Sequence, residues 1–236
     1  MEMPDIVETG LDFDSLSQRN TTDMIVIHHT GDTDMDVSAA TIHGRHKAQD
    51  WAGIGYHFVI RKDGTIERGR PEWAIGSHAY GENSHTIGIH VCGGFVGGIR
   101  PTTAQVEKVS MLVAALCDKY GIPCDRQHVV GHCDLMSTGC PGANLYALLE
   151  DGTLIGKANW YLNGGEESSE NQTINQTIIE RYQTIDDVPE WGKEAVKNSI
   201  RRGILKGTGD GLDIDAKDLR YIVWLDRGLT WLNSEV

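Results

Sequence analysis

A chain of 236 residues, 39% hydrophobic and 23% charged with 28 glycines, has the composition of a globular α/β protein and room for a catalytic domain plus a small second module. The formal net charge of −13, with no Lys/Arg cluster longer than a pair, argues against nucleic acid as a partner and against a grip on anionic surfaces by charge alone. The opening Met1-Glu2-Met3-Pro4-Asp5 carries acids where an export signal needs bases, and there is no apolar run of about 18 residues, so we expect cytoplasmic synthesis without a signal peptide and no membrane insertion.

Taken in chain order, residues 24–28 (Met-Ile-Val-Ile-His) read as a buried strand and residues 37–49 as a helix. A second strand is expected at 55–60. The turn Lys62-Asp63-Gly64-Thr65 then leads into a return strand at 66–68, because Asp-Gly supplies the positive φ that a tight hairpin requires. Residues 86–91 form another expected strand, closed by Gly93-Gly94. The clearest helix is 101–120, where Val106, Val109, Val113 and Leu116 recur at helical spacing and Gly121 stands at the stop. A short strand at 129–131 and a helix at about 145–150 complete a mixed central β-sheet flanked by helices, an α/β domain spanning 1–162.

Residues 163–177 are polar enough to read as a linker. Beyond it, 178–236 has anchors at Tyr182, Trp191, Val196, Ile200, Ile204, Leu219, Ile222, Trp224 and Leu225, enough for a small helical module. One helix should open near 187–195 and close near 202–207, with Asp215 capping another. Asp210, Asp213 and Asp215 lack a calcium-loop pattern and suit turns and caps.

The chemistry concentrates between His28 and Cys140. The segment Gly131-His132-Cys133-Asp134-Leu135-Met136-Ser137-Thr138-Gly139-Cys140-Pro141-Gly142 puts His132 and Cys140 eight residues apart on an expected irregular loop, and the strand ending at His28-His29 offers a third ligand. Two histidines and a cysteine with a fourth position open form the donor set of a catalytic zinc, while spacing alone also allows isolated core residues. Five cysteines (Cys92, Cys117, Cys124, Cys133 and Cys140), odd in number and unevenly spaced, fit reduced thiols with at least one free for metal.

Three motifs in order add to this. Val26-Ile27-His28-His29-Thr30, then Asp50-Trp51-Ala52-Gly53-Ile54-Gly55-Tyr56-His57-Phe58-Val59-Ile60, and the 131–142 loop resemble the zinc amidase family shared by bacteriophage amidase-type lysozymes and peptidoglycan recognition proteins, over roughly residues 20–150. The resemblance implies an N-acetylmuramoyl-L-alanine amidase that cuts bacterial peptidoglycan, with Zn2+ on His28, His132 and Cys140. It implies that Tyr56 hydrogen-bonds the attacking water or the tetrahedral intermediate. Thr138 stands where phage members often carry lysine and recognition-protein amidases threonine, and is expected to donate to the oxyanion. His78 and Asn83 fall in the family's loop beside the metal and are expected to bind substrate. Asp134 should brace the metal loop, with Cys133 where arginine is usual, and His29, His43, His46, His85, His90 and His128 are taken as structural. The 191–227 string is similar to small wall-associated modules of phage lysins, which implies wall binding, with self-association through Trp191, Trp224 and Trp231 as the alternative. Together these readings imply an endolysin-like enzyme released to the wall. The competing reading is a non-catalytic peptidoglycan receptor on the same fold; such receptors typically lose the cysteine that this chain keeps.

Overall fold

The apolar run Ile25-Val26-Ile27 is fully buried, as befits a central strand covered on both faces. In the computed structural model this strand lies in a six-stranded sheet of β1 (Ile6–Val7), β2 (Met24–His29), β3 (Phe58–Ile60), β4 (Ile66–Arg68), β5 (Thr86–Val91) and β6 (Val129–Gly131), in the order β1-β4-β3-β5-β2-β6. Of these strands β3 and β4 pair antiparallel and all other neighbours pair parallel, so the sheet is mixed. The described residues are 1–31, 33–165, 184–188, 190–202, 204, 205, 212, 214, 219 and 222. They belong to two compact units, Met1–Glu166 and Glu167–Val236.

The β3–β4 hairpin turns at Gly64 with φ 91°, and Asp63 Oδ1 accepts the Thr65 N–H at 2.9 Å. The expected strand at 55–60 is shortened to 58–60, because the backbone before it is engaged elsewhere. The Gly55 carbonyl accepts Ser77 N–H at 3.1 Å and the Tyr56 carbonyl accepts Arg70 N–H at 2.8 Å. This approach requires glycine: a Cβ on Gly55 would lie 1.9 Å from the Ser77 carbonyl oxygen.

Helix α1 (Ala39–Lys47) starts after Ser38, whose hydroxyl accepts the Thr41 N–H, so Val37 precedes the helix. Helix α2 (Thr103–Tyr120) begins at a reciprocal Thr102/Gln105 cap and ends at Gly121 with φ 65°. Two further helices lack an evident sequence signal. The first turn of the expected irregular loop is α3 (His132–Leu135), and after α4 (Ala143–Glu150) the chain turns at Gly152, φ 79°, into α5 (Thr153–Leu162). Glycines 152 and 156 obscure α5 in the sequence, yet Leu154 and Ala158 pack into the main core.

The two faces of the sheet are covered unequally. Ile25, Ile27, Phe58, Ile60, Ile87 and Ile89 pack with Val109, Leu112, Leu116, Leu145 and Leu149 from the α2 and α4 side. Val59 packs instead in a smaller cluster with Val37, Ala39 and Ile42 around α1, against which Tyr56 is partly buried. His28 and His90 alternate with Ile27 and Ile89, so their rings emerge on this second, thinner face.

In the second unit, α6 (Glu190–Arg201) contributes Ala195 and Val196 to a cluster with Val188, Ile214, Leu219 and Ile222. Most of the expected linker at 163–177, Asp210, Asp213, Asp215, Trp224, Trp231 and the Trp191 side chain lie outside the described residues. Among the described residues no helix is long and apolar enough to cross a membrane.

Candidate metal centre

Strand register builds the site. Ile27 of β2 lies opposite Gly131 of β6, so the next residues, His28 and His132, leave the sheet side by side with ring centroids 4.5 Å apart. The loop after α3 then returns Cys140 to them, held by Cys133 N–H donating to the Cys140 carbonyl at 2.8 Å. Cys140 Sγ accepts the backbone N–H of His29 at 3.4 Å and sits 3.7 Å from Nδ1 of His28. One ligand atom from each of His28, His132 and Cys140 lies within 4.8 Å of the other two.

These residues fit a zinc ion. Bonds of about 2.0–2.1 Å to nitrogen and about 2.3 Å to sulfur place two tetrahedral ligands about 3.6 Å apart, close to the His28–Cys140 separation. Among the described residues His132 Nε2 is buried with no hydrogen-bond partner, as befits an atom left open for a ligand to satisfy. Burial pushes the His28 imidazole well below its usual range, and the neighbouring rings of His78, His132, His90 and His29 act in the same direction. His132 is lowered by burial as well, so both rings stay neutral and offer lone pairs. The Cys140 thiol is pushed up to about 12 by burial, against the pull of the His29 N–H, and gives up its proton when a cation replaces it.

Tyr56 stands 5.0 Å from His28 and 4.8 Å from His90 between ring centroids. Burial, followed by the nearby Cys140, holds its phenol well above the usual value, so it keeps its proton near neutral pH and has a hydrogen to donate. A groove of about 370 Å³ opens beside the trio, lined by Tyr56, His132, Ser77, His78, Ala79 and Asn83 together with Trp51, Tyr80 and Met136. Asn83 Oδ1 is committed to the backbone N–H groups of His78 and Ala79 at 2.8 and 2.9 Å, so it shapes the loop as well as facing the groove. His78 is buried, with Nδ1 3.1 Å from His28 Nε2. Thr138 is exposed, and its hydroxyl accepts the Cys140 N–H at 3.3 Å. Asp134 accepts from Gly131 N–H, the Tyr146 hydroxyl and Arg126 at 2.7, 2.7 and 2.8 Å, fastening α3 to the sheet end and to α4.

Sequence reasoning missed Trp51, Tyr80 and Met136, large side chains at the groove that are 39%, 91% and 40% exposed. Trp51 stands inside the 50–60 motif, and an exposed tryptophan there was the available signal.

The profile of the N-acetylmuramoyl-L-alanine amidase family matches residues 18–143. The endolysin of Escherichia phage T7 is 34% identical over 145 residues, 58% of this chain and 92% of that protein. The solved endolysin amidase LysCS from Clostridium intestinale shares 40% identity with a TM-score of 0.58, covering 64% of this chain and 97% of the other. Drosophila PGRP-LB, at 24% identity and TM-score 0.55 over 62% of this chain and 92% of its own, has the same fold. The chain therefore belongs to the N-acetylmuramoyl-L-alanine amidase family.

Proposed function

We propose that this chain is a zinc-dependent, endolysin-like peptidoglycan amidase that hydrolyses the amide between N-acetylmuramic acid and L-alanine. The observation that carries the reading is the convergence of His28, His132 and Cys140 beside an open groove, with His132 Nε2 lacking a hydrogen-bond partner among the described residues. When bound, zinc supplies Lewis acidity to a scissile carbonyl and makes water a nucleophile near neutral pH.

The chain's own groups do the rest. His28 and His132 present neutral lone pairs, and Cys140 contributes the single negative charge of the donor set. Tyr56, fixed in its protonated form, donates a hydrogen bond to the carbonyl oxygen as it gains charge. The Thr138 hydroxyl accepts from Cys140 N–H through a lone pair, so its hydrogen is available to the same oxygen. His78 and Asn83 shape the groove wall on which the stem peptide would lie. The second unit is proposed to retain the enzyme on the wall, and its release to the wall follows the endolysin reading.

Mass spectrometry of digested walls tests the reaction: new alanine amino termini without new reducing sugars, lost with a chelator and restored by zinc, are the expected products. Retention on walls without new amino termini would instead mark a receptor. Sedimentation with purified walls of the full chain and of a chain ending at 166, both carrying Cys140→Ser, tests the second unit. Full retention of the shorter chain would remove its proposed role.

A further inference from the structure

A buried metal-ligating imidazole needs its second nitrogen engaged, because that contact fixes which nitrogen carries the hydrogen and which way the ring faces. The usual partner is a carboxylate, a backbone carbonyl or water. For His28, taken as a ligand on the zinc reading above, the partner of Nε2 is another imidazole, Nδ1 of His78, at 3.1 Å.

Hydrogen-bond roles along this chain of groups follow from one end. The Thr86 hydroxyl donates its single hydrogen to the Glu82 carbonyl at 2.8 Å. Toward His78 Nε2, at 3.4 Å, it can therefore only accept, so the hydrogen of His78 resides on Nε2. Nδ1 of His78 is then a bare acceptor, and His28 must donate to it from Nε2. That leaves Nδ1 of His28 bare, on the side facing Cys140 Sγ 3.7 Å away.

The His78 ring is also gripped mechanically. A Cβ on Gly76 would come within 2.4 Å of His78 Cδ2, and one on Gly88 within 2.6 Å of the same atom. Neither glycine has a positive φ, so the embedded ring, not the backbone conformation, demands glycine at these two places. Asn83 Oδ1 fixes the backbone beneath the ring by accepting from both His78 and Ala79.

We propose that His78 is a positioning residue that sets the tautomer and orientation of His28, so that His28 offers its Nδ1 lone pair to the metal. Because the partner is a neutral imidazole, the orienting contact adds no negative charge, and Cys140 alone carries that of the donor set.

Two measurements on the full chain test this. In the metal-free protein, long-range proton–nitrogen NMR of the imidazoles should show His28 and His78 both protonated on Nε2; a His28 hydrogen on Nδ1 overturns the proposal whether or not zinc binds. Competition for zinc against a chromophoric chelator should show His78→Phe and Gly88→Ala weakened by about 10- to 100-fold, the range for loss of such orienting partners. His78→Asn, which keeps an amide oxygen as acceptor, should recover part of the loss. Affinities of His78→Phe and Gly88→Ala within about threefold of the parent also overturn it, because the contact would then contribute too little to orient the ligand. If His78→Phe fails to fold, Gly88→Ala and the parent's spectrum decide. A parent chain that binds no zinc at all defeats the zinc reading instead, leaving the tautomer result to judge the role of His78.

Discussion

Tyr56 illustrates how environment rather than residue type assigns a role. A phenol whose pKa is raised by burial and by Cys140 is a poor base and a dependable donor. Tyr56→Phe should accordingly lower turnover at least about tenfold while zinc content stays at the parent level, a split read by parallel activity and metal analysis; a smaller loss removes Tyr56 from the reaction. That His28, His132, Cys140 and Tyr56 come together was legible because each sits in a contiguous motif. The contact of His78 with His28 was not, since it joins side chains fifty residues apart and depends on a ring fitting between Gly76 and Gly88.

At the level of elements, sequence patterning located β2, β4, β5, β6 and α2 within a residue or two, because each has a largely apolar run, a strong cap or, for β4, the Asp63-Gly64 turn before it. It missed β1, whose two residues carry no pattern, α5, whose glycines obscure it, and α3, which is four residues long and stabilised by contacts its own side chain makes beyond the helix. Asp134 supplies those contacts by joining Gly131, Tyr146 and Arg126. Asp134→Ala should cost on the order of 1–2 kcal/mol in urea unfolding, given a partly exposed carboxylate with three donors, and should weaken metal retention by loosening His132. A loss below about 0.5 kcal/mol would show that α3 is held by other means.

For the whole molecule, the thin face of the sheet gathers many neutral imidazoles, and this ties stability to pH. Burial pushes His57 and His90 each down to about 3, with Arg19 adding for His57 and His29 for His90. Their unfolded counterparts take up protons below about 6.5, so the unfolded chain binds more protons as pH falls. Stability from these groups is therefore complete above about pH 6.5 and is lost progressively toward about pH 3. In chelator, these two groups alone should cost denaturant unfolding roughly 3–4 kcal/mol between about pH 7 and 5, a window above most carboxylate titration, with His28 and His132 adding in the same direction; a total loss under about 1 kcal/mol contradicts this picture. The mixed sheet flanked by helices was readable from the alternation of strands and helices, but the unequal cover of its two faces, which leaves room for the groove, emerged only from the packing.

The most direct test of the metal centre is zinc content by elemental mass spectrometry on purified protein, paired with wall digestion. The parent chain should hold one zinc, and Cys140→Ser should hold less than about a tenth as much and release no alanine amino termini, since a ligand and the site's negative charge are both lost. Full zinc and full turnover in Cys140→Ser would contradict the assignment of that sulfur, and with it the three-residue centre.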